Sequence, residues 1–275
     1  MQSLFRCPLC RSPLDRQADR YLCPTGHSFD RASAGYVHLL PANKMHSKDP
    51  GDDKGMVTAR TRFLSADYYR PLCDALADLA LSYACKQVNI LDSGCGEGYY
   101  SASIYQALVR TGHSVQLAGV DLSKHALRRA ARREPAAEFA VASVYDIPMG
   151  DQQADIILNC FSPVALEEFL RILKPGGVYF YVVPGARHLW ELKEILYEDP
   201  YPNTEKLTPY KGFTYLDVRS VDGTVHLPDS QTISDLFQMT PYFWKTSRRS
   251  AEKLTALDSL DTTVSFRIHV FRKDS

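Results

Sequence analysis

The segment Asp92-Ser93-Gly94-Cys95-Gly96-Glu97-Gly98 most limits the folds open to this chain. It follows the short apolar run VNIL and precedes a stretch of helical periodicity, Tyr99–Arg110. Its glycines permit a tight turn and let the backbone approach a ligand closely. The spacing is GxGxG with an acid in front, not the GxGxxG of dinucleotide folds. No Lys-Ser/Thr follows the glycines, which excludes a phosphate-binding P-loop. A second acid, Asp121, ends the next strand at GVDLS, where a carboxylate can accept hydrogen bonds from ribose hydroxyls. Both acids also have structural explanations. Asp121 could cap the helix that begins at LSK, and Glu97 could be an acid favoured by the helix dipole.

The flanking pattern predicts an α/β fold. After the glycines come a strand at 116–120, a basic helix at Lys124–Arg133 and a strand near 137–141. DIILNC is the next strand. A helix around 164–172, the turn KPGG and the strand VYFYVV complete the run. Short apolar strands alternating with helices mean βαβ units and a mostly parallel sheet. TVSFRIHVF, near the end, alternates with period two, as an antiparallel last strand would. Upstream, MVTARTRFLSA and YYRPLCDALADLALSYAC read as helices, the second with Leu72, Leu76, Leu79 and Tyr83 on one face. Residues 43–55 are polar with a Pro-Gly turn signal, and only short strands fit before them. The expected division is a ribbon at 1–42, a linker with helices at 43–86, and the α/β domain at 87–275. At about 150 residues per domain, one large domain plus a small module suits a chain of this length.

That small module carries a metal-ligand pattern. Cys7-x2-Cys10 is followed by Cys23-x3-His27. Two thiolates on one tight turn and a second pair on another can close a tetrahedron around zinc. Four ligands leave no open position, so the zinc is expected to be structural, and to supply folding energy that so small a core cannot. The chain has seven cysteines, an odd number, and the other four are scattered singly, which disfavours a disulfide framework. No apolar run approaches the length of a membrane span, and MQSLFRCPLC lacks the apolar stretch of a signal peptide. A cytoplasmic protein with no membrane partner is expected. The 32 basic side chains balance 32 acidic ones, which argues against a protein that coats nucleic acid but leaves room for a local basic surface.

The glycine turn with its two acids resembles the S-adenosylmethionine-dependent methyltransferases of the Rossmann-like class I fold, from about residue 88 onward. The resemblance implies that Gly94, Gly96 and Glu97 line the methionine part of the cofactor, beside Asp92. Asp121 would hold the ribose, and Ser143 and Val144 would lie beside the adenine. The whole set is more specific. The Cys3His ribbon, GYVHLLP, DPGD, DSGCGEGYY and PGARHLWELK together closely resemble the RlmA-type bacterial methyltransferases, which methylate N1 of a guanine in 23S ribosomal RNA. That likeness implies one structural zinc on Cys7, Cys10, Cys23 and His27, S-adenosylmethionine as cofactor, a ribosomal RNA hairpin as substrate and a homodimer. It adds Tyr69 and His188 to the cofactor contacts. The family has two branches that modify neighbouring guanines, and CGEGYY is worded more like the Gram-negative one.

Methyl transfer asks the protein for orientation and electrostatics. The strand-end loop Asn159-Cys160-Phe161-Ser162-Pro163 lies where related enzymes hold the target base. Phe161 is expected to stack on the base and the Asn159 amide to read its edge, unless Phe161 is core and Asn159 an ordinary strand end. Cys160 reads as a buried apolar residue rather than a nucleophile. Guanine N1 lies on the Watson–Crick edge, so the target must be a loop base or an extruded one. For RNA contact the first 50 residues offer Arg6, Arg11, Arg16, Arg20, Arg31, Lys44 and Lys48 against Asp15, Asp19, Asp30 and Asp49. Arg60 and Arg62 are candidates to extend that surface, and Lys124, Arg128, Arg129, Arg132 and Arg133 form a second basic cluster. Two rivals remain: a methyltransferase for another RNA or a small molecule, and a zinc-ribbon RNA-binding adaptor without catalysis. The intact Asp92, Gly94, Gly96 and Asp121 set argues against the adaptor.

Overall fold

The computed structural model describes residues 2–45, 50–205 and 209–274. Lys48 and Asp49 of the basic stretch lie outside them. Four short antiparallel strands, β1 (Gln2–Arg6), β2 (Pro13–Arg16), β3 (Arg20–Leu22) and β4 (Ser28–Asp30), make an N-terminal sheet in that order. The main sheet is built from β5 (Val37–His38), β6 (Gln87–Ser93), β7 (Ser114–Asp121), β8 (Glu138–Val141), β9 (Ala154–Cys160), β10 (Leu173–Pro184), β11 (Phe213–Leu227) and β12 (Leu260–Lys273). Its order is β11-β12-β10-β9-β6-β7-β8-β5. β5, β6, β7, β8, β9 and β10 pair in parallel, while β12 runs antiparallel to both β10 and β11. This is the expected mixed sheet with its antiparallel last strand. The strand order reverses between β6 and β9, and in open α/β sheets ligands bind outside the carboxyl ends of the strands at such a point.

The helices are α1 (Lys54–Ser65), α2 (Arg70–Tyr83), α3 (Tyr99–Arg110), α4 (Lys124–Arg133), α5 (Leu166–Ile172), α6 (Trp190–Leu196), α7 (Ser230–Gln238), α8 (Tyr242–Lys245) and α9 (Arg248–Thr255). Local chemistry sets several starts. The Asp53 carboxylate accepts from Met56 N at 2.9 Å and opens α1, a proline sits in the first turn of α2, and Ser123 Oγ accepts from Ala126 N to open α4. KPGG is not a free turn. It is an irregularity inside β10, where the register against β9 shifts between Leu173 and Val178.

Alternation along the strands sorts the core into two layers. Val88, Ile90, Leu117, Phe139, Ile156, Leu158 and Phe180 face one way, against Leu72 and Leu76 of α2, Ile104 and Leu108 of α3 and Leu127 of α4. Leu91, Ala118, Val120, Ala140 and Ile157 face the other way, against Phe169 and Ile172 of α5 and against Leu4, Phe5, Leu14 and Tyr21 of the ribbon. The connection from β8 to β9 contains no helix, and the ribbon covers that part of the sheet instead. The seam is also polar. Ser3 Oγ and Leu4 N donate to the Glu138 carboxylate at 2.6 and 3.0 Å, and Arg6 N donates to Pro148 O at 2.7 Å. Among the described residues no helix is long and apolar enough to cross a membrane.

Candidate active site and metal centre

The ribbon brings Cys7, Cys10, Cys23 and His27 together, with all four ligand atoms within 4.8 Å of one another. Cys10 Sγ and Cys23 Sγ are 3.7 Å apart, and His27 Nδ1 lies 3.5 Å from Cys7 Sγ and 3.4 Å from Cys23 Sγ. A tetrahedron with Zn–S bonds of about 2.3 Å has edges near those lengths, so the donors fit a zinc ion bound through Nδ1. His27 N also donates to Cys23 Sγ at 3.2 Å, which fixes the second knuckle.

At the carboxyl ends of β6 and β7 the glycine turn folds back on the neighbouring strand. Gly94 N and Cys95 N donate to Val120 O at 2.9 and 3.0 Å. Gly96 N donates to Asp121 Oδ2 at 2.9 Å and Ser123 N to Asp121 Oδ1 at 2.8 Å. Asp121 thus ties the turn to the strand end, and Ser123, not Asp121, caps α4. Gly96 has φ of +53°, and a Cβ there would meet no atom within 4 Å. That is open space beside the backbone, as a bound cofactor requires. Gly94 is glycine for another reason. With φ of +80°, its Cβ would fall 2.1 Å from Ser162 Oγ. The cofactor turn and the loop after β9 are therefore interlocked.

Orphaned polar atoms converge on this point. Asp92 Oδ1, Ser93 Oγ, Asn159 Oδ1 and Ser162 Oγ are buried without a hydrogen-bond partner. Buried groups left unpaired are costly, so acceptors gathered at a strand-end cleft fit the ammonium and hydroxyl donors of S-adenosylmethionine. Burial pushes the Asp92 carboxyl up to about 7, against the pull of its Ser101 hydrogen bond and helped by the nearby Asp121 charge. Burial raises Asp121 as well. Glu97 is buried and held by Arg133 Nη2 at 2.7 Å. Its desolvation raises the carboxyl while Arg133 opposes.

The expected cofactor contacts Tyr69 and His188 also meet. Tyr69 Oη is 3.5 Å from His188 Nε2, and both rings pack on Phe266, with centroids at 4.9 and 4.7 Å. His188 Nδ1 accepts from Ser265 N at 3.1 Å, which leaves the ring proton on Nε2. Burial, with Lys193 nearby, drives the imidazole down to about 3. His188 is therefore a neutral ring. Ser143 and Val144 follow β8, where Ser143 Oγ accepts from Tyr145 N at 3.2 Å, and both are partly buried.

After β9, Phe161 has φ of +56°, in the left-handed region a bulky residue seldom adopts. Its ring is 47 % exposed, with Phe266 at 5.7 Å and Tyr100 at 6.4 Å. It is not core. Asn159 is fully buried. Its Nδ2 donates to Ser93 O at 3.3 Å and Pro163 O at 3.1 Å, so the amide braces the cofactor turn and the Phe161 loop from below. The Cys160 thiol is driven well above its ordinary range by burial, as an inert residue's would be.

The expected basic surface is partly spent inside the protein. Arg60 pairs with Asp52, and Arg62 grips Asp235 with two bonds at 2.7 and 2.5 Å. Neither extends a free cationic face. On α4, Arg129 donates to Thr58 and Arg133 to Glu97, leaving Arg128 and Arg132 exposed. Arg11 of the ribbon and Lys44 of the linker both reach Asp146 at 2.6 Å. The sequence gives no role in the site to the loop at 50–53, which packs on Ser123, beside Asp121. Ser123 Oγ donates to Asp52 O at 2.7 Å, and a Cβ on Gly51 would meet Ser123 N at 2.8 Å. The DPGD motif belongs to the family resemblance, but by its residues alone it reads as a polar turn.

Comparisons with known proteins match these parts separately and together. Residues 5–48 match the family described as RlmA, N-terminal, and residues 90–177 match a methyltransferase domain. A Bacillus subtilis protein, YxjB, provisionally named a 23S rRNA (guanine-N(1)-)-methyltransferase, is 32% identical over 98% of both chains. The 23S rRNA (guanine(748)-N(1))-methyltransferase of Streptomyces fradiae is 39% identical over 70% of this chain and 67% of its own. Among solved structures, the Bacillus YcgJ protein superposes with a TM-score of 0.51 at 18% identity, covering 74% of this chain and 99% of that one, which is a likeness of fold.

Proposed function

Because the chain belongs to the family of zinc-ribbon 23S rRNA (guanine-N1)-methyltransferases, we propose that it transfers a methyl group from S-adenosylmethionine to N1 of a guanine in a hairpin loop of 23S ribosomal RNA. It is a methyltransferase with one structural zinc, and an enzyme of ribosomal RNA works in the cytoplasm. The observation that carries the reading is the interlock of Gly94 with Ser162. It sets an exposed, strained aromatic, Phe161, beside the cofactor turn.

When bound, S-adenosylmethionine supplies an electrophilic methyl on a sulfonium. Asp92, Gly94, Gly96 and Glu97 would surround its methionine part, Asp121 its ribose, Ser143 and Val144 its adenine, with Tyr69 and His188 closing the far side. The neutral His188 ring suits a site that receives a cation, since it adds no repulsion. Phe161 would stack on the extruded guanine and hold N1 in line with the methyl, the geometry transfer needs, and the proton that N1 carries would leave to solvent as the N1–carbon bond forms and the sulfur–carbon bond breaks. Asn159 acts through the loop it braces, as a positioning residue. The ribbon knuckle would meet the RNA backbone.

Incubation with S-adenosylmethionine and protein-free large-subunit RNA, followed by primer extension, tests this. Methyl on N1 blocks pairing, so one new stop at a loop guanine, absent without cofactor, is expected. The stop's position also assigns the family branch. No stop and no methyl uptake by a zinc-loaded, cofactor-binding sample refutes the RNA reading and points to a small-molecule acceptor.

A further inference from the structure

The segment 241–255, PYFWKTSRRSAEKLT, has no role in the site described above. It forms α8 and α9, and most of it is exposed, with Leu254 buried. Trp244 is 66 % exposed, a large apolar surface to leave in water. The ring is packed on one side. Phe243 packs edge-on against it at 5.2 Å and is itself packed against Phe237 at 5.5 Å. Around it the segment carries Lys245, Arg248, Arg249 and Lys253 against Glu252 alone. Arg248 pairs with Glu252, and among the described residues Lys245, Arg249 and Lys253 have no acidic partner.

The segment also packs against α6, the helix that follows His188. Tyr242, the first residue of α8, packs edge-on against Tyr197, which caps the end of α6, with ring centroids 6.2 Å apart. The Lys193 ammonium sits 5.6 Å from the Tyr242 ring and also acts on His188. α9 packs on α6, which begins two residues after His188, and Arg187 stacks on Trp190 at 4.3 Å. One end of α8 therefore packs on α6, the helix that follows His188, and its other end projects Trp244 outward.

We propose that α8 and α9 form a second RNA-binding rim, on which Trp244 stacks a loop base neighbouring the target guanine while Arg248, Arg249 and Lys245 contact the adjoining phosphates. The proposal rests on the ribosomal RNA reading above. An exposed aromatic on a segment rich in unpaired cations is the chemistry of single-stranded nucleic-acid binding. Base–aromatic stacking gives affinity there without sequence readout. It complements Phe161: one ring receives the reacting base and the other holds the strand that leads to it.

The test uses the full-length protein and a fluorescein-labelled hairpin containing the guanine located by primer extension. Trp244→Ala is expected to weaken hairpin binding by about tenfold or more, the loss of one base stack, and Trp244→Phe to recover most of it. Affinity for S-adenosylmethionine, measured by calorimetry, stays at the wild-type value in both. Replacing Arg248 and Arg249 with alanine lowers the slope of log affinity against log salt by about 1.4, or about 0.7 per phosphate contact on a single strand. Wild-type binding and an unchanged salt slope in all these variants overturn the proposal. So does a wild-type dimer that Trp244→Ala splits into monomers with hairpin affinity intact, since the rim then serves a second copy of the chain. A wild-type protein that neither binds nor methylates any hairpin overturns the parent reading itself, without recourse to the variants.

Discussion

His188 makes the folded protein acid-sensitive by an amount the structure fixes. Its imidazole titrates at about 3 in the folded chain and at 6.5 when free. Burial is the main cause, and protonation would also set an Nδ1–H against the Ser265 N–H that Nδ1 now accepts. Below pH 6.5 the unfolded chain binds a proton that the folded chain refuses. Stability from this group is therefore full above pH 6.5 and is lost progressively as pH falls towards 3. At pH 5 the loss relative to pH 7.5 is about 2 kcal/mol, from a slope near 1.4 kcal/mol per unit over one and a half units. In a His188→Asn variant the side-chain amide oxygen can still accept the Ser265 N–H, yet the group does not titrate. Urea unfolding of both proteins without cofactor, at pH 7.5 and pH 5, gives the comparison. The raised Asp92 carboxyl contributes with opposite sign but cancels between the two proteins. The wild type should lose about 2 kcal/mol more than the variant. Equal losses, within about 0.5 kcal/mol, would show that His188 is solvated and protonates freely.

Gly94→Ala should abolish cofactor binding by calorimetry and lower the melting temperature, because its Cβ meets Ser162 and its φ is +80°. Adding Ser162→Gly, which removes both the Oγ and the Cβ that the new methyl would meet, should recover only the steric part, and Gly96→Ala should cost about 1 kcal/mol in stability. Arg133→Ala strands the buried Glu97 carboxylate and should cost about 3 kcal/mol in denaturant unfolding, with Glu97→Gln restoring much of it. Chelating the zinc should move a single calorimetric transition down as a whole. Two transitions, with the larger unmoved, would refute the shared core of ribbon and sheet. Phe161→Ala should lower methyl transfer at least tenfold and leave cofactor affinity unchanged, measured by single-turnover methyl uptake and calorimetry.

The central sheet and the zinc knuckles were readable because their residues answer to local rules. Apolar runs made β6, β7 and β9, glycines marked the turn, and the Cys and His spacing marked the ribbon. β11 was not readable. Its fifteen residues are exposed on both faces at most positions and show no alternation, and it exists because β12 offers a long ladder beside it. Asn159 illustrates the same limit within the site. A polar residue at a strand end suggests a ligand contact. That its amide instead spans the carbonyls of a strand end and a loop depends on Ser93, 66 positions away. The reason for Gly94 was equally hidden, since the atom it avoids belongs to Ser162.

The ribbon in place of a crossover helix makes this catalytic domain non-portable. In most α/β enzymes an accessory module can be removed and the remaining sheet keeps its own cover. Here the hydrophobic underside of β6, β7 and β8 is finished by Leu4, Phe5 and Tyr21, contributed from far upstream of the cofactor strands and clasped by a metal. A cell short of zinc would meet an exposed sheet face, a target for aggregation and proteolysis, rather than an enzyme that had merely lost its grip on RNA. Metal supply would then set how much of the protein exists.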